Sequence, residues 1–216
     1  MSGSLQTLIR DLRLRRGRER RGLALAEGVR LVEEALAAGI ALKGAAVSPA
    51  LEGSSRGQAL KRALAGAGVR LEEMGDRELA ELADTEHPQG VVAVITPRAW
   101  TLADIRVPRG AAVLVLDAVQ DPGNVGTTLR TALGLGAAGV IALKGTAELT
   151  NPKVVRGGMG ALFRMPCVSA DPAVFVAWAR EHGVSLWVAE ADGTPLDKLP
   201  RPALVTCRRR RTDETS

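Results

Sequence analysis

Short runs of Val, Ile, Leu and Ala alternate with segments of helical period along most of this chain, and the alternation stops and restarts once. Runs as continuous as residues 111–116 have no polar side to show to water. They demand a sheet covered on both faces, which is the layered α/β architecture with parallel strands. The first series places strands at 23–26, 42–47, 69–73 and 90–95 and helices at 29–38, 57–67 and 76–82, with a turn at Ser48-Pro49 and Asp76 as the N-cap of the last helix. Thr96-Pro97-Arg98-Ala99-Trp100 and Pro108-Arg109-Gly110 break the pattern. The second series places strands at 111–116, 139–143 and 184–189, another beginning at 203–205, and helices at 123–135, 151–159 and 172–181. The division is therefore a domain over residues 1–96, a linker over 97–109 and a domain over 110–216.

Aromatics make up 2% of the chain and tyrosine is absent, so the cores must be built from aliphatic side chains, and the composition argues against a base-stacking platform. Net charge is +5, which suits a polyanionic partner. The charge is uneven. Eight arginines lie between Arg10 and Arg30, and Arg208–Arg211 form a second run. Residues 5–16 carry Leu5, Leu8, Ile9 and Leu12 at helical spacing, which predicts one basic amphipathic helix. Arg13, Arg15 and Arg16 within it and Arg18 just beyond it are either RNA contacts or a solvated face. Cys167 and Cys207 are the two cysteines, and with no CxxC pair there is neither a disulfide framework nor a zinc pattern, so no metal is expected. No apolar run reaches the ~20 residues that span a bilayer, and residues 1–16 lack the apolar core of a secretory signal. The cytoplasm is the expected setting.

The string from Leu116 to Ala132, LDAVQDPGNVGTTLRTA, has the sharpest chemistry. It runs from the carboxyl end of a buried strand into a helix, where open α/β sheets collect ligands. Asp121-Pro122 starts the helix, Asn124 lies in its first turn and Arg130 nearly two turns on. Together an amide and a guanidinium can hold an RNA backbone and a ribose hydroxyl. Taken alone, Asp-Pro-Gly-Asn is also a plain capping turn. A second stretch, residues 149–166, offers Lys153, Arg156 and Arg164 for phosphates. Its small residues 157–161 suit either close approach to a ligand or partner, or tight helix packing. His87 has no acid or nucleophile in a recognisable pattern and is read as structural.

DPGNVGTTLRTA resembles the first signature of the SpoU/TrmH family of RNA ribose 2′-O-methyltransferases, in the SPOUT superfamily. Residues 149–166 are similar to its Asn-Pro-Lys…Arg…Gly-Ala…Arg-Pro segment. LALAEGVRLVEEAL, with Glu27-Gly28, and residues 84–94 look like its L30e-like substrate-binding module. The resemblance implies an N-terminal L30e-like α/β domain followed by a SPOUT-type parallel α/β domain. It implies S-adenosylmethionine as methyl donor, rRNA or tRNA as substrate, a homodimer, and Asn124 and Arg130 as catalytic residues. The family continues from a strand like Ala203-Leu204-Val205 into donor-binding loops that tie a knot. Here Val205 is followed by Thr-Cys and four arginines, so the sequence reads as truncated or frameshifted after residue 205, with donor-binding residues unassigned. The alternative function is an inactive RNA-binding remnant.

Overall fold

The computed structural model describes residues 4–108, 110–189, 198 and 204–208, the last five by backbone pairing alone. The N-terminal basic segment is an elbow of two helices, α1 (Leu5–Arg13) and α2 (Arg15–Arg21), where the sequence predicts one. Leu5, Ile9 and Leu12 bury one stripe of α1. No apolar residue continues that stripe beyond Leu14, which turns extended at φ −88°, ψ 138°. Gly17 seats the second helix, since a Cβ there would stand 2.0 Å from the Asp11 carbonyl oxygen.

The chain continues through β1 (Ala24–Glu27), α3 (Val29–Ala37), β2 (Leu42–Val47), α4 (Pro49–Glu52), α5 (Ser55–Gly66), β3 (Leu71–Glu73), α6 (Asp76–Leu82) and β4 (Val91–Ile95). Four strands form a sheet in the order β1-β4-β2-β3, with β2 and β3 parallel and the other pairs antiparallel. The turn expected at Ser48-Pro49 is the start of α4. Gly75, not Asp76, is the N-cap of α6; the Asp76 carboxylate instead accepts a bond of 3.0 Å from the Ala50 N–H and so ties α6 to α4. Alternate residues of β4 face opposite ways. Val91, Ala93 and Ile95 meet α3 and α5, while Val92 and Val94 meet α1 and α6.

A 3-10 turn at Leu102–Asp104 leads into β5 (Val113–Asp117), α7 (Pro122–Gly134), β6 (Gly139–Leu143), α8 (Pro152–Gly158), α9 (Ala161–Arg164), β7 (Cys167–Ala170), α10 (Pro172–Glu181), β8 (Leu186–Ala189) and β9 (Leu204–Arg208). The second sheet is parallel in the order β7-β6-β5-β9-β8. One-turn α9 and four-residue β7, interrupted by Ser169, carry too little period to be read from sequence. β9 continues three residues past Val205 and pairs Asp117 with Arg208. Leu114, Leu116, Val140 and Ala142 face α7 and α8. Val113, Val115, Ile141 and Leu143 face α10, together with Trp100, Leu102, Ile105 and Val107. Residues 100–107 therefore pack as part of the second core.

Helices α7 and α8 cross at glycine. A Cβ on Gly126 would lie 2.9 Å from both Gly157 Cα and the Val154 carbonyl oxygen. Packing, rather than a ligand or partner, accounts for Gly126 and Gly157. Gly126→Ala should destabilise the fold by about 1–3 kcal/mol through overpacking. Gly134→Ala, on the same helix with nothing within 4 Å, should stabilise it by about 0.4–1 kcal/mol. Urea unfolding of the two variants checks the opposite signs.

Candidate functional site

The carboxyl edge of the parallel sheet is shaped by two loops that hold each other. After β5, Ala118 adopts φ 54°, a left-handed conformation that stores on the order of 1–2 kcal/mol in a residue with a Cβ. The loop after β6 holds it there. The Thr146 hydroxyl donates to the Leu116 carbonyl at 2.9 Å, and the Ala147 N–H donates to the Val119 carbonyl at 2.9 Å. The Asp121 carboxylate then accepts the Asn124 N–H at 2.7 Å and starts α7, with Pro122 in its first turn.

Asn124 and Arg130 are both exposed on α7, and neither side chain has a partner among the described residues. Six residues of α-helix separate them by roughly 9 Å along the axis and roughly 120° around it. Val125, Leu129 and Ala132 form the buried stripe. Asn124 and Arg130 thus stand at the two borders of the outer sector of α7, further apart around the axis than the sequence suggests. A ligand that touches both must lie across that sector.

The α1–α2 elbow leans over this edge and leaves a cleft on each side. One, about 640 Å³, is lined by Arg10, Arg13, Asp84, Pro122, Asn151 and Lys153. The other, about 560 Å³, is lined by Arg15, Lys144, Thr146, Glu148, Ser169 and Asp171. Arg16 and Lys153 are exposed and without side-chain partners among the described residues. Arg13 is exposed and donates to the Glu81 carbonyl at 2.7 Å; Arg15 pairs with Glu19 at 2.7 Å.

Three candidate phosphate contacts are paired with carboxylates of the other domain instead. Arg18 is 4% exposed and donates to both Glu148 carboxylate oxygens, at 3.0 and 2.6 Å, and to the Leu12 and Arg13 carbonyls. Its neighbours in sequence gave no sign of this, because its partner lies 130 residues away. Arg156 reaches Asp84 at 3.1 Å and Glu27 at 3.6 Å; Arg164 binds Glu34 at 2.7 Å. Each of these pairs joins the second domain to the first. Glu27 also accepts from the Asp84 and Thr85 N–H groups and from the Thr85 hydroxyl, and Gln89 accepts from the Val29 N–H at the start of α3. The roles of Glu27, Gln89 and Glu148 were not readable from spacing. His87 is exposed beside Glu27, Thr85 and Gln89 at a cavity of about 220 Å³. Burial pushes the Cys167 thiol up to about 12, which keeps it protonated. Among the described residues no His, Cys, Asp or Glu group could hold a metal, and no helix is long and apolar enough to cross a membrane. The stretch following Arg208, to which the expected truncation refers, lies outside the described residues.

Comparison with known proteins matches two families along the chain. Residues 7–93 match the MRM3-like substrate binding domain, and residues 111–208 match the SpoU rRNA Methylase family, so the match passes Val205. The human protein named rRNA methyltransferase 3, mitochondrial, is 33% identical over 172 residues, 77% of this chain and 39% of its own length. The Bacillus subtilis 23S rRNA (guanosine(2553)-2′-O)-methyltransferase RlmP is 33% identical over 135 residues, 62% of this chain and 52% of its own length. The chain therefore spans about half or less of these relatives. The AdoMet-bound rRNA methyltransferase of Sinorhizobium meliloti superposes with a TM-score of 0.80 at 27% identity, over 95% of this chain and 77% of that one.

The Arg18–Glu148 pair makes acid stability testable. Burial pushes the Glu148 carboxyl up, but the Arg18 guanidinium, the Thr150 hydroxyl and nearby Arg15 together hold it below its ordinary 4.5. A carboxyl lowered by folding contributes stability above its unfolded value, and that contribution is lost as pH falls through the folded value. Urea midpoints recorded from about pH 7 to about pH 3 should therefore fall more steeply below about 4.5 in the wild type than in Glu148→Gln.

Proposed function

The chain belongs to the SpoU/TrmH family of RNA methyltransferases, and from that premise we propose that it methylates a ribose 2′-hydroxyl of structured rRNA or tRNA with S-adenosylmethionine as donor. The observation that carries this reading is the pair Asn124 and Arg130, both in solvent and unengaged on α7, the helix that starts just after the carboxyl end of β5 beside a cleft with Arg10, Arg13 and Lys153 on its walls. The alternative, an inactive RNA-binding remnant, has no observation in its favour.

When bound, S-adenosylmethionine supplies an electrophilic methyl carbon. The carboxyl ends of β5, β9 and β8, adjacent in the sheet, form the kind of edge where open α/β sheets collect ligands and would be the place to receive it. The chain that follows β8 and β9 lies largely outside the described residues, and no residue is assigned to the donor. The described residues serve the acceptor. Arginine stays charged and is a poor base. Beside a ribose hydroxyl its positive charge favours the alkoxide, which makes the oxygen more acidic and more nucleophilic. Asn124 offers two donors and an acceptor, enough to orient the sugar or its phosphate. Arg13, Arg15, Arg16 and Lys153 draw in the RNA backbone. Arg18, Arg156 and Arg164 are left out of this set because carboxylates across the domain boundary hold them, whereas the Arg15–Glu19 pair is an exposed contact within one helix. We place the enzyme in the cytoplasm and infer a homodimer. Leu186 and Val188, 51% and 47% exposed on the edge strand β8, are apolar surface that such an assembly would cover.

Arg130→Ala should lower kcat by about 10²–10³, the usual loss for one donor to a developing oxyanion, with RNA affinity nearly unchanged. Equal losses in kcat and affinity would make Arg130 a grip only. Replacing Arg13, Arg16 and Lys153 with alanine should flatten the salt dependence of RNA binding by about 0.7–0.9 in log–log slope for each phosphate left without its cation. A filter-binding salt series reads it.

A further inference from the structure

The eight arginines of the N-terminal segment divide by what they touch, and Arg18 stands apart. Its Nε and Nη2 grip the two oxygens of Glu148, and its Nη1 spans the Leu12 and Arg13 carbonyls at 2.9 and 2.8 Å. Those carbonyls belong to the last turn of α1. One planar guanidinium therefore closes the end of α1, sets the bend into α2, and docks both on the segment between β6 and α8. Glu148 is itself held, with its side chain 17% exposed and the Thr150 hydroxyl donating to it, three residues before Asn151 caps α8. Arg13 and Arg15 lie on the two sides of the bend, each lining one of the two clefts. The α7 site opens beside the first cleft, through Pro122.

Resting on the methyltransferase reading above, we propose that Arg18 and Glu148 are positioning residues. Their bidentate pair fixes the distance and angle between the RNA-gripping helix α1 and the Asn124/Arg130 helix α7, and so selects which ribose is presented. Neither residue touches RNA. Bidentate geometry explains why arginine serves here, since lysine offers a point charge without the fork that spans a carboxylate and two carbonyls together. Fixed geometry matters because methyl transfer requires aligned atoms about 3–3.5 Å apart, and a misplacement near 1 Å costs on the order of a hundredfold. If the grip is rigidly referenced to the site, loosening the reference leaves binding in place while the bound ribose wanders.

Two measurements test this. Thr7 on α1 and Thr131 on α7 are exposed. Thr7→Cys with Thr131→Cys, in a Cys207→Ser background and with buried Cys167 left unreactive, take spin labels whose separation is read by pulsed dipolar spectroscopy. The intact pair should give one narrow distribution, and Glu148→Gln a broadened or shifted one. An unchanged distribution overturns the proposal. In parallel, a protein-free 23S rRNA transcript is incubated with tritiated S-adenosylmethionine below the unfolding temperature of each variant. Glu148→Gln and Arg18→Lys should lower kcat roughly ten- to a hundredfold with KM for RNA nearly unchanged. Methyl groups should also spread to neighbouring nucleotides, which a simple loss of folded protein would not cause. Wild-type kinetics and a single product in both variants overturn the proposal as well. If the wild type transfers no methyl group to this transcript or to unmodified tRNA transcripts while the spin-label distances respond, the positioning pair stands and the enzymatic reading fails.

Discussion

The architecture depends on one short segment that belongs to two cores. Val154 and Ala161 of α8 and α9 pack with Leu116, Val125 and Leu129 under the parallel sheet, while Val155 and Phe163 of the same helices are 2% and 1% exposed within the core of the four-stranded module. Adjacent residues of a helix point about 100° apart, so a helix lodged between two sheets can feed both at once. Burying side chains the size of Val155 and Phe163 contributes about 1.5–3 kcal/mol each. The two cores are joined through this segment, and the two-turn helix α8, which crosses α7 at glycine, also holds the module beside it.

Charge refines what the apolar contact establishes. Arg18–Glu148, Arg156–Asp84 and Arg164–Glu34 all bridge the two domains. The half-exposed Arg164–Glu34 pair contributes little to stability, since such pairs are worth about 0–1 kcal/mol. The enclosed Arg18–Glu148 pair is different, because removing either partner strands a desolvated charge. Such pairs fix orientation, which hydrophobic contact leaves loose. The cations that remain, Arg13, Arg16 and Lys153 above all, have no carboxylate partner among the described residues.

Much was legible in the sequence where the signal is local. Strands at 42–47 and 139–143 and helices at 76–82 and 172–181 coincide with β2, β6, α6 and α10, because apolar period and Pro or Gly boundaries act within a few residues. The likeness of DPGNVGTTLRTA to the family signature is likewise a local string, and its Asp121 capping interaction is formed as read. The elbow at Leu14, the brief α9 and β7, and the capping role given to Asp76 were misjudged or missed. In each case the deciding contact is distant in sequence or the element is too short to show a period.

By itself the sequence determined two α/β layers, the parallel character of the second sheet, a basic helical N-terminal segment and an amide and a guanidinium on the helix that follows β5, since all follow from hydrophobic period, turn chemistry and composition. Only the tertiary structure decided which arginines are spoken for. A guanidinium reads the same in sequence whether it faces water or a carboxylate 130 residues away. Folding alone brought Glu148 to Arg18, where a buried cation must be paired, and Glu34 to the half-exposed Arg164, and each partner is set by how the two sheets pack.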